Sequence, residues 1–235
     1  MRTSHAVAFA VALALTACGR EGGDRTAQAA PDSQAAPVHP LLNLRAMSDT
    51  APPTYRVAFE TTAGPFVVEV RRDWAPRGAD RFYNLVQAGY YDSMYVHRVI
   101  PGGIAQFGFY RDPQINAVWL KKPVGDDPMI GNSNKRGTIT FAHSGMNTRT
   151  AQVFINLSDN PQFDDDKFVP FGTVTEGMDV VDKLYSGYGE LMPEGKGPDP
   201  GQTAYRGNAY LQEGFPQLSE IVSARIVDDP AGAPR

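Results

Sequence analysis

Cysteine is nearly absent: Cys18 is the only one in 235 residues. An intramolecular disulfide is excluded, and no Cys/His cluster has zinc-finger spacing. Positive charge is not in excess either. The chain carries 22 Lys+Arg against 26 Asp+Glu, a formal net charge of -4, without a long basic run. That argues against a general binder of nucleic-acid backbones. Long apolar runs are also missing. The longest covers residues 6–15, and a membrane-spanning helix needs about 20. What is abundant is the turn former: 23 Gly and 19 Pro. With 42% hydrophobic and 20% charged residues, the composition is that of a folded chain rich in turns, which favours β-structure over a helical bundle.

The short apolar run follows Arg2 and ends in Leu15-Thr16-Ala17-Cys18. Its length and flanks suit a signal peptide over residues 1–17. The final tetrad resembles the lipobox of bacterial lipoproteins, which implies lipid attachment at Cys18 and anchoring in the cell envelope, facing the periplasm or exterior. Gly19 and Arg20 follow the cysteine, without the Asp that retains such proteins in the inner membrane, so the resemblance favours the outer membrane. Residues 18–53 are rich in Ala, Pro, Gln, Ser and Asp, a composition that predicts a flexible tether. Leu41, Leu42 and Leu44 are its one apolar cluster, either docked on the domain or idle.

The folded domain is expected over residues 54–228, with a tail over 229–235. Val57, Phe59 and Thr61 alternate with polar or small residues, a period suited to a half-buried strand. A turn at Gly64-Pro65 and a returning strand over 66–70 make a hairpin. Residues 76–88 read as a helix, with Pro76 at its first position and Gly89 past its end. Short strands follow near 95–99, 104–106, 138–142, 153–156 and 171–175, then a short helix over 178–184 and a last strand over 220–227. Eight short strands and two helices argue for an antiparallel barrel or sandwich.

Three blocks then carry a resemblance. They are Tyr95-Val96-His97-Arg98-Val99-Ile100-Pro101-Gly102 with Gln106; residues 137–156, from Gly137-Thr138-Ile139-Thr140-Phe141-Ala142-His143 to Gln152-Val153-Phe154-Ile155-Asn156; and Phe168-Val169-Pro170-Phe171-Gly172 to Gly177-Met178. Together they resemble the cyclophilin family. The resemblance implies a closed eight-stranded antiparallel barrel capped by two helices, with peptidyl-prolyl cis-trans isomerase activity on proline-containing polypeptides. It implies no cofactor and no metal, and the chain is expected to act as a monomer.

The chemistry sets modest demands. Rotation about an X-Pro bond meets a barrier of about 18–20 kcal/mol, which is lost amide conjugation. In the twisted state the proline nitrogen regains its lone pair and accepts a hydrogen bond. A gain of about 10⁵ in rate needs roughly 7 kcal/mol of selective stabilisation. One charged hydrogen bond supplies about 1.5–3 kcal/mol. The remainder must come from holding the ring, desolvating the amide and anchoring the flanking backbone.

By the resemblance, Arg98 is the catalytic donor and Gln106 bonds it and the substrate backbone. A permanently charged guanidinium suits a fixed donor. The substrate-binding set implied is His97, Ile104, Ala142, His143, Ser144, Gln152, Val153, Phe154, Phe163 and Phe168. Ile104, Val153, Phe154, Phe163 and Phe168 would line the slot for the proline ring, and Ala142, His143 and Ser144 would pair with substrate main chain. Departures from the family pattern stand at Gly103, where a Phe is usual, and at Val153. Two segments exceed the family's short pattern. Residues 111–134 are expected as a long loop beside the site. Residues 185–219 form an insertion whose aromatics either staple it to the barrel or offer a partner surface.

Overall fold

The computed structural model describes residues 39–227. The leader, Cys18 and the 229–235 tail lie outside them. Eight strands close into an antiparallel barrel in the order β1-β2-β7-β5-β6-β4-β3-β8. β1 (Thr54–Thr61) and β2 (Gly64–Arg71) form the hairpin, with Val57 opposite Val68 and Phe59 opposite Phe66. Their alternation is the physical cause of the fold here. Tyr55, Val57, Phe59, Phe66, Val68 and Val70 are buried, and the residues between them are not.

α1 (Pro76–Gln87) buries Ala79, Phe82, Leu85 and Val86 against the barrel, and Gly89, at φ +68°, turns the chain away after it. β3 (Met94–Val99) and β4 (Ile104–Phe107) pair so that Arg98 lies opposite Gln106. β5 (Thr138–Phe141) and β6 (Val153–Asn156) follow, and Gln106 also faces Phe154 across the β4–β6 ladder. β7 (Pro170–Glu176) and β8 (Glu220–Val227) complete the barrel. The two mouths are closed separately. At one, the Tyr55 hydroxyl donates to the Ala79 carbonyl of α1 at 2.8 Å. At the other, where β1 turns into β2, the Val180 side chain abuts Gly64.

β4, β5 and β6 are buried on both faces. Ala105, Phe107, Ile139, Phe141, Val153 and Ile155 point into the barrel core. Ile104, Gln106 and Phe154 point outward and are covered by the segments between strands. This second, outer covering is what makes a site on the barrel wall.

Two expectations for the connecting segments are corrected. The tether does not extend to Pro53: residues 39–53 pack on the domain. Leu41 is fully buried, and its carbonyl accepts from Trp119 Nε1 at 3.1 Å. Asn84 brackets Asp49, accepting from its N–H at 3.0 Å and donating to its carbonyl at 2.8 Å. Residues 111–134 are not simply a loop, since they hold α2 (Pro113–Trp119), capped by the Asp112 side chain, with Ile115 and Trp119 buried. Asp127 then anchors the segment. It accepts from the N–H groups of Arg77 and Gly78, both at 2.9 Å, and so caps α1, whose own Ala75 offers no side-chain cap. It also pairs with buried Arg149 at 3.0 Å.

The 185–219 insertion holds α5 (Pro200–Arg206) and α6 (Asn208–Gly214). Leu211, Phe215 and Leu218 form a small core of their own, against Tyr95 of β3 and against Tyr188 and Tyr210. Phe215 meets Tyr188 edge-to-face at 5.0 Å. The insertion's aromatics, Tyr205 apart, therefore staple it to the barrel. Two shorter helices, α3 (Gln162–Asp165) and α4 (Met178–Val181), flank β7.

Candidate active site

A cavity of about 810 Å³ opens on the outer face of β3, β4 and β6. Ten of the twelve implied catalytic and substrate-binding residues line it: Arg98, Ile104, Gln106, Ala142, His143, Ser144, Gln152, Phe154, Phe163 and Phe168. One side is polar. Arg98 Nη1 donates to Gln106 Oε1 at 3.0 Å, and Gln106 Nε2 donates to Gln152 Oε1 at 3.0 Å. Strand pairing places the first two side by side, and Gly108 permits the third. Gly108 has φ +124°, and a Cβ there would stand 2.5 Å from Gln152 Cα.

The other side is aromatic. Phe154 on β6, Phe163 on α3 and Phe168 before β7 meet pairwise edge-to-face, with ring centres 5.3–5.5 Å apart. Such pairs hold one another in place and add about 0.5–1.5 kcal/mol each beyond area burial. His143 stacks on Phe168 at 4.0 Å with the rings 17° from parallel, extending the wall to the rim. α3 is held by Asp164, which accepts from the Asn134 N–H at 2.8 Å and from Asn134 Nδ2 at 2.7 Å. Burial pushes the Asp164 carboxyl up, but the hydrogen bonds from Ser133 and Asn134 outweigh it and hold the group below its ordinary range.

Two implied members stand apart. Val153 is fully buried in the barrel core, because neighbours on a strand face opposite sides and Phe154 takes the outward place. His97 is buried behind the cavity, its ring 4.8 Å from that of Phe109. Burial lowers its pKa to about 3, the Arg98 charge acts in the same direction, and the Tyr95 backbone opposes them. His97 is therefore neutral and supports Phe109, which does line the cavity.

Several lining residues were not anticipated. Ile100 fills part of the space a larger side chain at 103 would claim: a Cβ on Gly103 would lie 3.0 Å from Ile100 Cγ2. The insertions add Leu120, Leu191 and Pro200. More consequential is a residue outside the lining itself, Glu190, whose Oε2 accepts from Arg98 Nη2 at 2.6 Å. Burial raises the Glu190 carboxyl, but hydrogen bonds from Arg98 and from the Leu191 N–H outweigh it and leave the group below its ordinary range. Glu190 has no counterpart in the three motif blocks, so no signal in the sequence marks it.

The barrel is closed, and on its wall an outward Arg98–Gln106 pair faces an aromatic slot. Residues 56–197 match the family model for cyclophilin type peptidyl-prolyl cis-trans isomerase, and the chain belongs to that family of isomerases. Among its relatives is peptidyl-prolyl cis-trans isomerase A of Dickeya dadantii, 34% identical over 166 residues, covering 67% of this chain and 84% of that one. Another is peptidyl-prolyl cis-trans isomerase B of Escherichia coli, 33% identical over 136 residues, covering 54% and 82%. A solved cyclophilin type isomerase from Cryptosporidium parvum shares the fold, with a TM-score of 0.54 at 21% identity over 75% of this chain and 99% of that one. The same parasite protein has been crystallised in the presence of the dipeptide Ala-Pro.

Proposed function

We propose that the chain rotates X-Pro bonds of exported polypeptides by seating the proline ring against Phe154, Phe163 and Phe168 while Arg98 donates to the proline nitrogen. The observation that carries this reading is the Arg98–Gln106 contact at 3.0 Å on the wall of an aromatic-lined cavity. Gln106 accepts from one edge of the guanidinium and so orients it, and its own amide is oriented by Gln152. The Ala142 N–H is bonded to the Gln152 carbonyl and the Ser144 N–H to Thr148 Oγ1, which leaves the main chain of His143 for the substrate backbone. That role needs no particular side chain, so a histidine serves at 143.

The export context rests on the leader and the Cys18 tetrad. Lipid at Cys18 would hold the domain at the envelope, where newly exported chains fold. Labelled palmitate incorporated by the wild-type chain and lost in Cys18→Ser supports the anchor; equal labelling of the two removes it.

The reaction is tested by cis-to-trans exchange of a short Ala-Pro-Phe peptide with the full chain. Loss of one charged hydrogen bond in Arg98→Ala should slow exchange about ten- to a hundredfold. Wild-type exchange no faster than the free peptide, with the peptide still bound, would leave a peptide-binding chaperone on the same fold.

A further inference from the structure

The cavity's surroundings are more apolar than one proline ring requires. Seven large apolar side chains are exposed among the described residues, and Leu120, Met146, Met192 and Tyr205 stand on segments bordering the cavity. Met146 is 82% exposed and Tyr205 79%. A single exposed apolar residue is ordinary, but several around one opening mark a contact surface.

Two of them belong to a second feature. Half-buried Pro113 and exposed Ala117 on α2 and exposed Leu120 at its C-cap fall four and three apart, one stripe of the helix, while Ile115 and Trp119 face inward. The stripe faces Gly201, Ala204 and Tyr205 of α5 across a groove of about 550 Å³, in which Gln114 is the one polar side chain apart from the Tyr205 hydroxyl. The groove is built rather than loose. The Asn208 N–H donates to the Arg111 carbonyl at 3.1 Å, and Gly207 packs so closely on that carbonyl that a Cβ would collide with it. The groove also runs into the cavity. Leu120 lines both, and Pro200 of the cavity adjoins Gly201 of the groove.

We propose that the α2–α5 groove docks the apolar flank of the same non-native polypeptide whose prolyl bond enters the Arg98 cavity. The continuity decides the occupant. One extended chain can fill groove and cavity together, because Leu120 lines both. The wall chemistry decides the class: apolar segments, which a polypeptide exposes before it folds. This deepens the isomerase reading and rests on it for the contents of the cavity.

The test uses the full chain and the double variant Ala117→Glu/Tyr205→Glu, two exposed helix positions outside the Arg98 cavity. Two readouts are taken: exchange of the Ala-Pro-Phe peptide, and affinity for reduced, alkylated α-lactalbumin, which cannot fold. The expected result is short-peptide exchange within twofold of wild type and affinity for the unfolded polypeptide at least tenfold weaker. Equal affinity in both proteins, or no binding by wild type, overturns the docking surface. A wild type without short-peptide exchange overturns the isomerase reading instead, and the binding arm still decides the groove.

Discussion

Arg98 is gripped from two sides: Gln106 Oε1 accepts from Nη1 at 3.0 Å, and Glu190 Oε2 from Nη2 at 2.6 Å. Gln106 belongs to the neighbouring strand and is rigidly placed. Glu190 arrives from the insertion, 92 residues along the chain. A substrate carbonyl seeking the same edge of the guanidinium must displace it. The pair is partly exposed, 26% and 35% on the two side chains, so its worth is about 1 kcal/mol or less. Glu190→Ala should then raise kcat/KM for a short peptide by up to about fivefold. Because the Glu190 carboxyl is held below its ordinary range, the pair forms above that range and is lost as pH falls through the lowered value. The gain should persist across neutral pH. A fall in kcat/KM would mean that Glu190 holds Arg98 in its working position.

His97 predicts a pH dependence of stability rather than of catalysis. Its pKa falls to about 3 in the folded chain, from an ordinary value near 6.5. Between those values the unfolded chain binds a proton that the folded chain does not, so stability falls as pH is lowered through that window. The slope from this group reaches at most about 1.4 kcal/mol per pH unit. Urea midpoints from pH 7 to pH 4 should fall more steeply for wild type than for His97→Leu. Parallel curves would show that the ring does not stay neutral.

Asp127 joins three segments with one side chain. Asp127→Ala would uncap α1 and leave Arg149 buried, with only Asp126, at 3.3 Å, as a carboxylate neighbour. Breaking a buried pair on one side costs about 3–5 kcal/mol. Thermal and urea unfolding should both show a loss of that size, larger than the loss for Asp112→Ala, which removes only an exposed cap on α2.

Leu41 belongs to the core although it precedes the barrel by thirteen residues. Leu41→Ala should cost about 2–5 kcal/mol, as for other fully buried leucines. Removal of residues 1–53 should cost more, because Trp119 loses its hydrogen-bond acceptor and Ala51 its place against Asp80. Denaturant midpoints equal to wild type for both proteins would return this segment to the role of a tether.

The pattern of short strands left a barrel or a sandwich open, and the resemblance carried by three motif blocks chose the barrel. Alternation in β1 and β2 settles which residues face inward, because a strand's side chains point to opposite faces in turn. The three motif blocks pointed to Arg98, Gln106, Phe154 and Phe168, since each lies on a short local pattern, whereas Phe163 falls between two blocks and was placed by position alone. The same period separates Val153 from Phe154, and strict use of it sends Val153 to the core without a structure. His97 was not separable this way. A break in register between Val96 and Arg98 interrupts the alternation beside it, and that break depends on the partner strand. The remaining features come from packing between distant segments. Polar composition hid the docking of Leu41, because one buried leucine and a few hydrogen bonds to Asn84 and Asp80 suffice to order residues 39–53. Glu190, Leu191 and Pro200 reach the site through the packing of an insertion whose length and aromatics were legible but whose path was not. Contacts between residues so far apart in the chain are chosen by which buried surfaces fit together, and no local pattern encodes that choice.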